Sequence, residues 1–305
     1  LNFDTTVNGT TTVGGTAKWT ASGGTAVTLG AVTTEVNGDG TMHFLSGAGV
    51  ITGTIGDVGT SSASIKQIIV DGTNAATNLT FTGNVYADSM LLDHATQGTV
   101  IFGGTTASTV SSAITVVGDG DGNMDITNTS TEGVTFNSTV GAADSIKTST
   151  HATGTKTTFK DVVNAQTTTL TGTAEVIFEK DANIFDTALT LSTAGTGTIR
   201  LGQGIVAGEI ALQTAALTDL TTAGTKIYAP ANHTSGSIIF VDDTNGDVTA
   251  GAALADFAMQ DTALTDYTLA LGSTVSAADD LTGDTTQWVI TAVAKTAAAT
   301  ASELG

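Results

Sequence analysis

The sequence predicts an all-β chain wound as a right-handed parallel β-helix, a solenoid with coils of about 19–23 residues. Three observations lead there. Thr makes up about a fifth of the 305 residues and Gly contributes 37, while aromatics are only 5%. Short apolar runs recur, many ending in Phe, each closed by a corner of Gly, Asn or Asp. The steps between those runs fall near one coil of a three-sided helix, since three short strands and three turns need about 20 residues. Thr and Val are stiff at χ1 and suit a pleated strand, and Gly supplies the positive φ of a tight corner. The competing all-β reading is an antiparallel β-sandwich array, whose turn signals come every 8–12 residues or so, a spacing the chain partly shows.

The runs justify the coils in order. Met42-His43-Phe44 comes first, then Ile68-Ile69-Val70 and Leu79-Thr80-Phe81. Val100-Ile101-Phe102, Ile114-Thr115-Val116-Val117, Val134-Thr135-Phe136, Thr157-Thr158-Phe159 and Val176-Ile177-Phe178 follow. Thr198-Ile199-Arg200-Leu201 has the same shape with Leu in place of Phe, and Leu217-Thr218-Asp219-Leu220 and Ile238-Ile239-Phe240 complete the series. The steps from 81 to 102, 136 to 159, 159 to 178 and 178 to 201 each span about 20 residues, one coil apiece. The steps from 44 to 81, 102 to 136 and 201 to 240 are nearly twice as long, and each reads as two coils with an intermediate run between. On this reading the phenylalanines stack as one internal column and Thr lines the outer faces. A leucine-rich repeat shares the period but needs a Leu and Asn frame that is missing.

The tail changes character. Ala becomes dense after Ala207, although Tyr267-Thr268-Leu269-Ala270-Leu271 and Gln287-Trp288-Val289-Ile290 still read as strands. Residues 296–304 read as a short helix or a fray, and the single proline, Pro230, as a loop. The organisation expected is a solenoid over 1–230, followed over 231–305 by an irregular continuation or a C-terminal capping and assembly region.

Nine Lys and Arg face 29 Asp and Glu, a net charge of −20. Nucleic acid is excluded as a partner, because phosphate binding needs cationic clusters. Anionic membrane surfaces are disfavoured for the same reason. The charge keeps repetitive strands soluble, opposes edge pairing and suits divalent cations. Without Cys there are no disulfides and no thiolate metal sites. No apolar run approaches the ~20 residues of a membrane span, so no membrane insertion is expected. No leader reads at Leu1-Asn2-Phe3-Asp4: either one was removed or the chain is a piece of a longer one.

The strongest chemical motif is Gly118-Asp119-Gly120-Asp121-Gly122-Asn123-Met124-Asp125. Oxygen ligands at alternate positions, Asp119, Asp121, Asn123 and Asp125, match the start of a Ca2+ loop. Met124 stands where the sharp-turn Gly belongs and the closing Glu is missing, so a polar corner is the alternative. A weaker candidate is Asp243, Asn245 and Asp247, and Asn37-Gly38-Asp39-Gly40 is a third acidic turn. No catalytic set emerges. The sole arginine, Arg200, has no acidic cluster beside it in sequence, and His43, His94, His151 and His233 lie far apart. Adjacent Asp242 and Asp243 would point to opposite faces of a strand. Asn-X-Ser/Thr triplets at Asn8, Asn78, Asn128, Asn137 and Asn232 arise by chance in a chain this rich in Thr.

The runs Gly133-Val134-Thr135-Phe136-Asn137-Ser138-Thr139-Val140-Gly141 and Asn78-Leu79-Thr80-Phe81-Thr82-Gly83-Asn84-Val85 resemble the repeat units of bacterial autotransporter passengers, including rickettsial surface antigens. The composition is also similar to that of some surface-layer proteins, and the resemblance covers roughly residues 30–200. It implies a β-helical exported domain at the bacterial cell surface or outside the cell. The function expected is a non-catalytic structural protein that forms a surface layer, sheath or filament as a homo-oligomer or polymer. The alternative is an adhesin passenger that binds a host surface or glycan; a β-helix polysaccharide-active enzyme is the remote third.

Overall fold

The structure is a computed structural model that describes residues 10–21, 24–46, 49–72, 75–93, 98–141, 143–191, 197–219, 225–243, 257–272 and 287–295. No α-helix occurs among them. Strands stack in parallel as a β-solenoid, the fold class that the recurring runs predict. The chain packs as two compact units, Leu1–Thr168 and Thr169–Gly305.

In the first unit each coil visits three sides in turn. The opening coil is β1 (Thr11–Thr12), β2 (Thr16–Ala21) and β3 (Thr25–Leu29); the next is β4 (Val32–Thr33), β5 (Asp39–Ser46) and β6 (Ile51–Ile55). Val58 then makes the first side by a single bridge, followed by β7 (Ile65–Asp71) and β8 (Thr77–Phe81). Val85 does the same ahead of β9 (Ala87–Asp93) and β10 (Gly98–Phe102). The later coils use β11 (Ser108–Val110), β12 (Ala113–Val116), β13 (Asp121–Ile126), β14 (Val134–Phe136), β15 (Ile146–His151), β16 (Lys156–Phe159) and β17 (Asn164–Leu170). The second side is the sheet β2-β5-β7-β9-β12, and the third is β3-β6-β8-β10-β13-β15-β17. Successive coils pair in parallel on all three sides, which excludes the antiparallel sandwich.

The register gives the coil length directly. Leu29, Ile55, Phe81, Phe102, Ile126 and His151 are stacked partners on the third side, and the differences between their numbers are the coil lengths. All but the coil from Phe81 to Phe102 are longer than the Phe spacings indicate, and the reason corrects a second expectation. The phenylalanines do not form one column. Phe44 lies on the second side and stacks on Trp19 at 4.6 Å. Phe81 and Phe102 are partners on the third side, with rings 5.9 Å apart. Phe136 and Phe159 are partners on the first side, at 5.1 Å. The step from Phe102 to Phe136 is therefore one coil plus one side. Yet the two rings meet edge-on across the interior, 5.0 Å apart, so aromatic packing continues from one side to the next. All seven phenylalanines of the recurrent runs are buried. The rest of the first-side column is Val32, Val58, Val85 and Val110, each fully buried.

Corners are joined coil to coil by polar side chains. Asp57 Oδ1 accepts the Asn84 N–H at 2.8 Å, and Asn84 Oδ1 accepts the Thr109 N–H at 3.0 Å. Asn37 Oδ1 accepts the Ser64 N–H at 2.8 Å, while the Ser64 hydroxyl donates to Asp88 at 2.6 Å. These bonds satisfy turn amides that the strand ladders cannot reach. Gly133 turns one corner with φ +70°, where a Cβ would collide with the Lys156 carbonyl of the next coil.

The second unit keeps parallel stacking, with coils that lengthen along the chain. Its strands are β18 (Glu175–Phe178), β19 (Asn183–Leu191), β20 (Thr198–Leu201), β21 (Ile210–Thr214), β22 (Leu217–Asp219), β23 (Thr225–Tyr228), β24 (Gly236–Asp243), β25 (Phe257–Gln260), β26 (Thr265–Leu271) and β27 (Gln287–Ala294). Val176, Ile199, Ile227 and Met259 are stacked partners, so each of these coils is longer than the one before. Near residue 230 the parallel ladder continues from β20 to β23 to β25, and Pro230 sits in the turn after β23. The other ladder ends differently: β27 runs antiparallel along β24, and β26 antiparallel along β27. Trp288 of β27 is fully buried and meets Phe257 edge-on at 4.8 Å. The stretch 296–304, read as a short helix or fray, lies outside the described residues.

Candidate functional site

The residues of the calcium-like motif build a corner and a strand. Asp119 lies in the turn before β13, where Ser145 of the next coil donates its N–H (3.0 Å) and its hydroxyl to Oδ1. Gln166 donates to Oδ2 at 3.4 Å. These bonds, the Ser145 hydroxyl first, hold the Asp119 carboxyl below its ordinary range. Asp121 Oδ2 accepts the Gly118 N–H at 2.8 Å and closes the turn. Asn123 accepts from the Thr148 hydroxyl at 2.9 Å and donates to the Gly98 carbonyl at 3.4 Å. Burial pushes the Asp125 carboxyl up, against the pull of a hydrogen bond from Thr150. Asp121, Asn123 and Asp125 alternate along one strand, so their Cα atoms lie ~6.6 Å apart, whereas a Ca2+ ion needs ligand oxygens within about 2.3–2.6 Å of one point. Among the described residues no group of three or more His, Asp or Glu side chains converges as a metal site. Asp243 ends β24 opposite Thr214. Asn245 and Asp247 lie outside the described residues.

The histidines stay apart. His43 Nε2 is 3.4 Å from Asp71 Oδ2 on the outer face of the second side. His151 is wholly buried between the hydroxyls of Ser149 and Thr157, each 3.0 Å away. His233 packs beside Tyr267, and its burial lowers its pKa against a backbone hydrogen bond with Gly236. His94 lies outside the described residues.

Two surfaces remain that sequence reading did not assemble. The first is the outer face of the third side of the first unit. Ladder pairing aligns Ala26, Thr52, Asn78, Thr99, Asn123 and Thr148 in one column. It aligns Thr28, Thr54, Thr80, Ile101, Asp125 and Thr150 in a second column, two residues along each strand. Asp125 is the single ionisable group in these columns, on a chain of net charge −20. Thr28, Thr52 and Thr54 are exposed, and Asn78, Thr80 and Thr99 are half-buried.

The second surface lies in the second unit. Ile177, Arg200, Tyr228 and Gln260 are successive partners on β18, β20, β23 and β25, and so form the floor of one outward face. The Arg200 guanidinium carbon lies 3.6 Å from the centre of the Tyr228 ring, and its Nε donates to Glu175. The turns after these strands, carrying Glu179, Gln203, Ala231 and Asp261, rise beside that floor and enclose a groove of about 490 Å³. The steps from 177 to 200, 200 to 228 and 228 to 260 are unequal, which hides the floor from a fixed-period reading. The one available signal is that the sole arginine occupies an outward strand position.

Fold and surfaces together define a parallel β-solenoid with a sparsely charged Thr and Asn face and a surface groove over Arg200 and Tyr228. No protein-family model matches the chain, and no curated protein or solved structure matches it.

Proposed function

We propose that this chain is a non-catalytic structural protein of the bacterial cell surface that builds a surface layer, sheath or filament by self-assembly. The observation that carries the reading is the Thr and Asn face of the first unit, whose two register columns hold Asp125 as their one ionisable group. Copies with a charge of −20 repel one another, and repulsion is least where ionisable groups are scarce. Six strands at ~4.8 Å and about five residues each at ~3.3 Å give ~500 Å² per copy. A pair of such faces buries ~1,000 Å², the lower bound for a specific interface. That suits a lattice held by many weak contacts better than a tight dimer. Rigid, close-set hydroxyls can bond across such a contact at little side-chain entropy, because Thr has a single heavy-atom rotor.

The test is electron microscopy and light scattering of the purified chain, with and without calcium. Ordered multimers are expected, and the double variant Thr54→Glu/Thr80→Glu, which places carboxylates in the middle of the face, should disperse them. A chain that stays monomeric at every concentration, or multimers indifferent to the double variant, would count decisively against the reading.

A further inference from the structure

We infer that the groove over β18, β20, β23 and β25 is a binding site for a neutral oligosaccharide. Its floor combines what a sugar needs. The Arg200 and Tyr228 pair is a flat, amphipathic platform, fixed in place by stacking at 3.6 Å and by the Arg200 bond to Glu175. Such a platform gives a large contact area without ordering a flexible side chain on binding. Ile177 adds apolar surface for the C–H face of a pyranose ring. The walls supply planar acceptors and donors: Glu179, Gln203 and Asp261 line the groove beside Gln260. The Asp261 Oδ1 already accepts the Tyr267 N–H at 2.8 Å, which holds its carboxylate in one orientation. Carboxylate, amide and guanidinium side chains bond hydroxyl pairs in the bidentate manner that vicinal diols require.

Charge selects the class within that chemistry. Arg200 is paired with Glu175, and Glu179 and Asp261 add two further carboxylates, so the groove is net negative. Phosphorylated and uronic ligands are repelled. A compact cation is disfavoured as well, since among the described residues no acidic cluster converges on one point. The volume of about 490 Å³ lies inside the ~300–1,000 Å³ range of ligand sites, and the groove opens to solvent along the sheet. An open groove admits part of a longer chain, where a closed pocket would admit a lone metabolite. This site is independent of the assembly face, because it is built wholly from second-unit residues.

Calorimetric titration of the full chain with cellotriose, maltotriose, mannotriose and chitotriose tests the inference, with trigalacturonate and spermidine as charged comparators. At least one neutral trisaccharide should bind. Ala231→Trp fills the groove from an exposed turn without touching the core, and should weaken binding by about tenfold or more with an unchanged melting curve. Tyr228→Ala should act in the same direction. Absence of binding to all four neutral sugars, binding that Ala231→Trp leaves intact, or preference for either charged comparator would each overturn the inference.

Discussion

Lowering the pH from 7.5 to 5 should selectively loosen the coil that carries His151. This imidazole occupies a position that Leu29, Ile55, Phe81, Phe102 and Ile126 fill in the coils before it. It is fully buried, and desolvation lowers its pKa from 6.5 to about 3. The Ser149 and Thr157 hydroxyls satisfy both ring nitrogens of the neutral form. Between pH 6.5 and 3 the unfolded chain binds a proton that the folded chain refuses, so stability falls as pH falls. The contribution is fully present above pH 6.5 and is progressively lost below it. At pH 5 the loss is about 1.4 kcal/mol for each of 1.5 pH units, or about 2 kcal/mol. Native-state hydrogen exchange of a peptide spanning β15 and β16, corrected for the intrinsic pH dependence of exchange, reads that loss locally. His151→Leu provides the control. It costs stability at every pH by depriving two hydroxyls of their partner, yet it removes the titrating group. The carboxylates of the chain contribute equally to both proteins and cancel in the difference. If the Leu variant loses the same ~2 kcal/mol between pH 7.5 and 5, the reasoning fails.

Two further outcomes are expected. Phe136→Ala empties a fully buried site that touches both Phe102 and Phe159, so a loss of about 3–5 kcal/mol is expected from cavity and transfer terms; hydrogen exchange should show the damage concentrated in β10, β14 and β16, because solenoid coils depend chiefly on their neighbours. Asp119→Ala removes the acceptor of the Ser145 N–H and hydroxyl and should lower the melting temperature equally with and without calcium; calcium stabilisation of the parent chain that this substitution abolishes would establish the loop as a metal site.

The fold was legible because its main signals are local. Val100-Ile101-Phe102 and Leu79-Thr80-Phe81 alternate in and out over single strands, and the short step from Phe81 to Phe102 placed them in adjacent coils. The side on which each Phe falls was not legible. The coil from Leu29 to Ile55 is longer than the coil from Phe81 to Phe102, so the step from Phe102 to Phe136 fits one coil and a side as well as it fits two short coils. Asp119 was ambiguous for a different reason. Gly, Asp and Asn recur in calcium loops and in corners alike, and Ser145, the partner that fixes its role, lies a whole coil away. The place of His151 follows only from register, which no local pattern encodes. Arg200, Tyr228 and Gln260 met the same barrier across coils of unequal length.

Regular and irregular coils yield different surfaces, and this divides the two proposed activities between the units. Where corners are joined by hydrogen bonds from coil to coil, successive strands stack in register and like residues align in columns on the outer face. A face of like residues in columns offers repeated weak contacts, as self-association requires. Where coils lengthen, from Ile199 to Ile227 and again from Ile227 to Met259, the strands of this ladder do not grow. Each of β20, β23 and β25 keeps to four residues. The added residues lie elsewhere in the coil, outside this ladder. The turns that follow β20, β23 and β25 stand beside the floor as groove walls, bringing Gln203, Ala231 and Asp261 to its edge. Insertion between strands is tolerated because the ladder is preserved on either side of it. Shortening the connection after β23 should therefore flatten the groove and abolish saccharide binding, while the parallel pairing of β20 with β23 survives. Loss of the pairing itself would show that the long connections hold the coil together and do not merely shape its surface.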